Sequence, residues 1–260
     1  MTPVKAGQTD ALPEAIINPR RGRHSPRAAP YAMLVSNGDD LAAVALEAGL
    51  RADDYSRLYM GRLYADPDDP KPFTAAGPYI GAPYAAMLME TLVAWGARHV
   101  IAFGWCGSLS PDLVVGDILL SEGAYVDEGT SVHYGHAGSC PVRASIPMTR
   151  KIGNLMDANG LHYRKGLVWT TDAIYRETPD KLRYYQERQA LAVEMELSAL
   201  FTLGRFRGVD VGAILIVSDE LHTLKWHPGF GSPRFRTQRD DVCRVLGSAS
   251  RKFNAPAPKV

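Results

Sequence analysis

The apolar positions of this chain follow two spacings that alternate along its length. Short runs at Tyr31 to Val35, His99 to Phe103, Ile118 to Leu120, Leu167 to Thr170, Ala190 to Val193 and Val211 to Val217 are continuous and rich in β-branched or aromatic residues, which predicts buried strands. Between them, apolar residues recur every three or four positions. Ala85, Leu88, Leu92 and Trp95 mark one face of a helix over Ala82 to Trp95, ended by Gly96. The same reading predicts helices at Leu41 to Ala48, Thr149 to Ala158, Pro179 to Arg188, Glu196 to Phe206 and Arg236 to Phe253, with a turn at Asn37-Gly38-Asp39-Asp40. Strands alternating with helices predict an α/β fold in a single domain, with a central, mainly parallel twisted sheet and helices on both faces.

The ends read differently. Residues 1–30 are rich in Pro, Arg and polar residues and predict an arm, whose Arg20, Arg21, Arg23 and Arg27 are candidates to reach an anion or a neighbouring subunit. The domain then covers residues 31–254, and residues 255–260 read as a frayed tail.

Composition narrows the classes. Of 260 residues 46% are hydrophobic and 22% charged, as in an ordinary globular domain with a sizeable core. A net charge of +1 supplies no overall field to attract nucleic acid or anionic lipid, so neither is an expected partner. With no signal-peptide pattern and no apolar run of transmembrane length, a cytoplasmic location is expected. Cys106, Cys140 and Cys243 are too few and too scattered for a disulfide framework or a zinc site, and no metal is expected.

The chemistry concentrates where strands end. Val193-Glu194-Met195-Glu196 sits where an apolar strand gives way to a helix, and Ser218-Asp219 ends another strand. Carboxylates at such ends are functional candidates, because ligands of open α/β sheets bind in the crevice beyond them. Phe103-Gly104-Trp105-Cys106-Gly107-Ser108-Leu109 places two glycines just after a buried strand, as either a ligand-approaching backbone or a structural turn. Gly116-Asp117 and Gly129-Thr130-Ser131 follow. The turn Lys225 to Gly231 reads as a lid or as surface packing, with Lys225 and Arg234 as candidates to assist Asp219. No Gly-x-Ser-x-Gly, His-Glu-x-x-His or Gly-x-Gly-x-x-Gly occurs, which weighs against serine and zinc hydrolases and dinucleotide enzymes.

Taken in order, these five motifs resemble the nucleoside phosphorylase family, which includes purine nucleoside phosphorylases, uridine phosphorylases and adenosylhomocysteine nucleosidases. The resemblance runs from about Tyr31 to Asp219. It implies cleavage of the N-glycosidic bond of a small-molecule nucleoside, in the setting of purine salvage, by a homo-oligomer (dimer or hexamer) with shared sites. No organic cofactor is implied, and inorganic phosphate enters as co-substrate. Glu196 would accept hydrogen bonds from the ribose hydroxyls beside Glu194, with Met195 packed under the sugar. Asp219 would be the general acid on the base, its pKa raised by burial, with Ser218 orienting it. Cys106, Gly107, Ile174, Tyr175 and Val193 would contact the base. A uracil-reading pair is not matched at Thr178 and Asp180, so the base is expected to be of purine type, while Glu220, standing where purine phosphorylases continue with His, departs from the family at the base.

At the phosphate site the chain departs from the family. Ala102 and Trp105 replace an Arg and a Ser, and Asp39 and Asp40 stand where a further Arg is usual, which leaves Gly38 and Arg57 as candidate phosphate-binding residues. The readings left open are phosphorolysis, hydrolysis by water, and a non-catalytic nucleoside-binding protein.

Overall fold

The computed structural model describes residues 14–136 and 138–255. β1 (Tyr31–Val35) leads into α1 (Gly38–Glu47), followed by β2 (Ser56–Leu58), β3 (Gly61–Asp66), β4 (Phe73–Gly77) and α2 (Ala82–Trp95). β5 (His99–Ser108), β6 (Ile118–Asp127), β7 (Val142–Arg143) and α3 (Ile146–Ala158) come next. The chain continues through β8 (Tyr163–Thr171), α4 (Pro179–Glu187), β9 (Ala190–Glu194), α5 (Leu197–Arg207), β10 (Asp210–Glu220), β11 (His227–Pro228) and α6 (Pro233–Phe253).

The sheet is mixed where the sequence predicts a mainly parallel one. β1 lies between β4 and β5, parallel to both, and β5 is also parallel to β10. β10 runs antiparallel to β6, β6 parallel to β8, β8 parallel to β9, and β9 antiparallel to the end of β5. Those five strands therefore close on themselves, with β6, β8 and β9 running opposite to β5 and β10. β2, β3 and β4 form an antiparallel meander at the open edge.

Helices cover both faces. Leu88, Met89 and Leu92 of α2 pack with Leu197, Leu200 and Leu203 of α5 on one side. On the other, Leu41 and Val44 of α1 join Ile152 and Met156 of α3 and Val242, Val245 and Leu246 of α6. Each such side chain contributes about 1.5–3 kcal/mol by leaving water.

Local chemistry moves several predicted boundaries. α1 begins three residues early because Asn37 Oδ1 accepts from the amides of Asp39 and Asp40, a cap typically worth about 1 kcal/mol. The glycine-rich segment after Phe103 is strand, not turn: Gly104 to Ser108 pair with Leu215 to Glu220 along β10. The register slips between Val217 and Asp219, leaving Ser218 as a bulge that redirects Asp219. The described part of the arm, residues 14–30, lies against the end of α2, where Trp95 Nε1 donates to Arg20 O at 3.3 Å and Ala28 N donates to Trp95 O at 3.1 Å. Residues 1–13, and all of the tail after Ala255, lie outside the described residues. No helix among the described residues is long and apolar enough to cross a membrane.

Candidate active site

The ends of β5, β9 and β10 open into a cavity of about 950 Å³. Its lining includes Cys106, Gly107, Val193, Glu194, Met195, Glu196, Ser218 and Asp219, with Ile174 and Tyr175 from the turn after β8. Ten of the sequence candidates thus converge on one space from segments more than a hundred residues apart. Gly107 is where the walls come closest: a Cβ there would stand 2.4 Å from Leu221 Cδ1 and 3.1 Å from Asp219 Oδ2. The lining contains no Lys, Arg or His among the described residues, and four carboxyl groups, Glu177, Glu194, Glu196 and Asp219, belong to it.

At the β9–α5 junction the two glutamates do different work. Glu194 is buried, and its Oε2 accepts from the amides of Glu196 and Leu197, each at 2.7 Å, while Oε1 accepts from the Thr170 hydroxyl. Its carboxylate therefore caps α5 and holds the backbone that carries Glu196, while Glu194 also belongs to the cavity lining. Glu196, although first in line for that helix, makes no side-chain cap. Its Oε1 instead accepts from Gly81 N at 2.5 Å, at the start of α2, where Gly81 has a φ of +82°. Burial pushes both carboxyls up from the usual range, and the charge of Glu194 adds to the rise at Glu196. A ligand that offers hydroxyl donors or positive charge would relieve that cost.

Asp219 departs from the expectation of burial. It is half-buried, with Oδ1 accepting from Ser218 Oγ at 2.6 Å and Oδ2 from Trp226 Nε1 at 3.0 Å. Ser218 does orient it, and Ser218 Oγ also lies 3.2 Å from Cys106 O. Glu177, another carboxyl of the lining, is pushed up to about 7 by burial and then by the charge of Asp219. Sequence reasoning stopped two residues short of it, at Tyr175. Trp226 and Phe230 also line the cavity, so the turn from Lys225 to Gly231 contributes two aromatic walls. Lys225 is exposed and outside the lining, and Arg234 pairs with Asp117 across the molecule's surface. Neither touches Asp219.

The predicted phosphate residues are not brought into the cavity. Arg57 is exposed on β2, and Gly38 sits within the first turn of α1 with Pro78 as its nearest neighbour. Arg20, Arg21, Arg23 and Arg27 are also outside the lining. In their stead, Trp105 Nε1 donates to Asp40 Oδ2 at 2.7 Å, and Arg239 Nε lies 3.2 Å from Asp40 Oδ1. Asp40 is 1% exposed, and burial pushes its carboxyl up to about 6.

Fold and site together define a family. The sequence pattern of the phosphorylase superfamily matches residues 35–239, most of the chain. The chain belongs to the phosphorylase superfamily. It is 31% identical over 155 residues to the DeoD-type purine nucleoside phosphorylase of Clostridium novyi, a match covering 59% of this chain and 66% of that one. It is 33% identical over 142 residues to a guanosine phosphorylase of Halorubrum lacusprofundi, covering 55% and 58%. The chain thus spans less than two thirds of the length of either relative. Among solved structures, a Toxoplasma gondii purine nucleoside phosphorylase in complex with immucillin-H superposes with a TM-score of 0.74 at 22% identity, over 88% of this chain and 92% of that one. A Vibrio fischeri uridine phosphorylase does so with a TM-score of 0.68 at 24% identity, over 91% and 95%. These likenesses establish the fold.

Proposed function

We propose that this protein cleaves the N-glycosidic bond of a nucleoside with a purine-type base. The observation that carries the reading is the convergence of Glu196, Met195, Asp219 and Glu177 in one apolar and aromatic cavity whose lining, among the described residues, has no Lys, Arg or His. Glu196 and Met195 take the ribose. As the C1′–N bond lengthens, the sugar gains oxocarbenium character, and a carboxylate held in low dielectric stabilises that charge more than it stabilises the neutral substrate. The energetic cost that burial places on a charged Glu196 is thereby recovered in the transition state.

At the base, a proton must arrive as the bond breaks, so that the purine leaves neutral. Asp219 is the residue that the family pattern assigns to this task. Glu177, raised to about 7, supplies a second carboxyl beside it that still holds a proton near neutral pH. Ile174 and Tyr175 on one side, with Trp226 and Phe230 on the other, supply apolar and aromatic surface for a flat base.

The relatives are named as phosphorylases, and which acceptor takes the sugar in this chain, phosphate or water, is a separate question from cleavage. No organic cofactor or metal enters the reading. Met60 and Ile80, 85% and 75% exposed, belong to the rim of the cavity, and a second copy of the chain packed there would cover them and carry Arg57 to the neighbour's site. Mixing Arg57→Ala and Asp219→Asn protomers tests such sharing: activity should return only if one site uses both chains. For the function itself, release of free base from inosine, adenosine and methylthioadenosine is to be followed for the wild type, Glu196→Gln and Asp219→Asn. Release that both substitutions suppress is expected. Tight nucleoside binding without any release would instead favour a binding protein.

A further inference from the structure

The corner beside α1 carries Asp39, Asp40 and Trp105 where phosphate ligands were expected. Its geometry says more. A helix N-terminus near a cavity is an anion site when its amides are free, and Ser36 and Asn37, which lead into α1, do line this cavity. Here two of those amides are taken, since Asn37 Oδ1 accepts from Asp39 N at 2.9 Å and from Asp40 N at 3.3 Å. The first turn carries two carboxylates of its own.

One of them, Asp40, is fixed. Trp105 Nε1 donates to its Oδ2 at 2.7 Å, and Arg239 lies at 3.2 Å from Oδ1, so Arg239 already has a counter-charge. The indole of Trp105 lines the cavity and stands edge-on to Phe235, with ring centroids 5.1 Å apart, and 6.1 Å from Phe230. It is a packed wall, not a mobile side chain.

The geometry points to Asp40 and Trp105 as the pair that selects the nucleophile: they exclude inorganic phosphate and leave water to attack the sugar. This rests on the glycosidic-cleavage reading. In the balanced step, the C1′–N bond breaks with its electron pair going to the base nitrogen, which takes a proton from the cavity carboxyls. The water oxygen bonds to C1′ and keeps one hydrogen as the new hydroxyl, and its other proton passes through solvent to restore the donor. Nucleoside and water thus give free ribose and free base. A phosphate dianion would instead enter a lining with four carboxyl groups and, among its described residues, no Lys, Arg or His, beside a buried aspartate, and each of those groups that is ionised repels it.

The test uses the full-length protein and inosine or adenosine, in phosphate-free buffer and with inorganic phosphate added, with the sugar product identified by phosphorus and proton NMR. Equal rates in the two buffers, and free ribose in both, are expected. Release that needs phosphate and yields ribose 1-phosphate would overturn the assignment while leaving glycosidic cleavage intact. If no base is released in either buffer, the cleavage reading fails, and calorimetry with inorganic phosphate decides the corner separately. There, no binding by the wild type and measurable binding by Trp105→Ser or Asp40→Asn supports it, whereas wild-type binding overturns it.

Discussion

The two ends of the cavity are built by opposite means. At the β9–α5 and β10 ends, carboxylates are held ready for a ligand: Glu194 caps α5 so that Glu196 stays clear of that task, and a bulge at Ser218 redirects Asp219. At the α1 end, Asp40 is buried outside the lining, its Oδ2 accepting from Trp105 Nε1 and its Oδ1 ion-paired with Arg239. The contrast teaches that a carboxylate's role is set by its place as well as its partners. Glu196 and Asp219 are bonded by the chain and yet line the cavity, whereas Asp40, 1% exposed, lies outside that lining.

The sharpest way to break that contrast is to remove the held carboxylates. Glu196→Gln and Asp219→Asn should each lower the rate of base release by roughly a hundredfold or more, the range typical of a lost charge-stabilising or proton-transferring group. An effect no greater than that of Arg57→Ala would abolish the distinction. Next in size comes Glu194→Ala, which strips the cap from α5 and leaves two buried amides without a partner. A loss of about 1–3 kcal/mol in urea-unfolding stability is expected, with activity falling as Glu196 shifts.

Glu177→Gln should act chiefly on the pH profile. A group that must be protonated and titrates at about 7 makes base release fall as pH rises through that value, and the substitution should flatten the alkaline limb. An unchanged limb would remove Glu177 from the chemistry.

A smaller effect concerns stability. Asp40 and Glu177 are raised from ordinary values of 3.8 and 4.5 to about 6 and about 7 in the folded chain, and Glu194 and Glu196 are raised as well. Between those limits the folded chain holds more protons than the unfolded one. Their contribution is therefore fully present below the ordinary carboxylate range and is lost as pH rises through about 6 and 7. Melting of the ligand-free protein should move to lower temperature over that interval, and Glu196→Gln should weaken the trend. A rise would contradict it.

Much of this was legible in the sequence, for reasons that differ by residue. The strands β1, β5, β8, β9 and β10 announce themselves as apolar runs, and Glu196 and Asp219 stand out because they are carboxylates at the ends of two of them. The meander of β2, β3 and β4 was not foreseen, since its strands are short and its pairing is with an edge rather than a helix-covered centre. Nor does spacing reveal what a side chain will bond. Glu194 reads as a ligand residue, and only the fold shows its bonds to Thr170 and the α5 amides. Asp40 and Trp105 are 65 positions apart, and only the folding of α1 against β5 brings them to 2.7 Å. Glu177 gains its character from burial and from Asp219, neither of which a linear motif encodes.

The claim beneath all of this is that the held end of the cavity is a nucleoside site, and a crystal structure of the protein soaked with inosine tests it most directly. The ribose hydroxyls should lie within hydrogen-bond distance of the Glu196 carboxylate, with the base against Ile174, Tyr175 and Trp226 and a ring nitrogen near Asp219. A nucleoside bound elsewhere, or bound here with its sugar at Asp219 and its base at Glu196, would contradict the account.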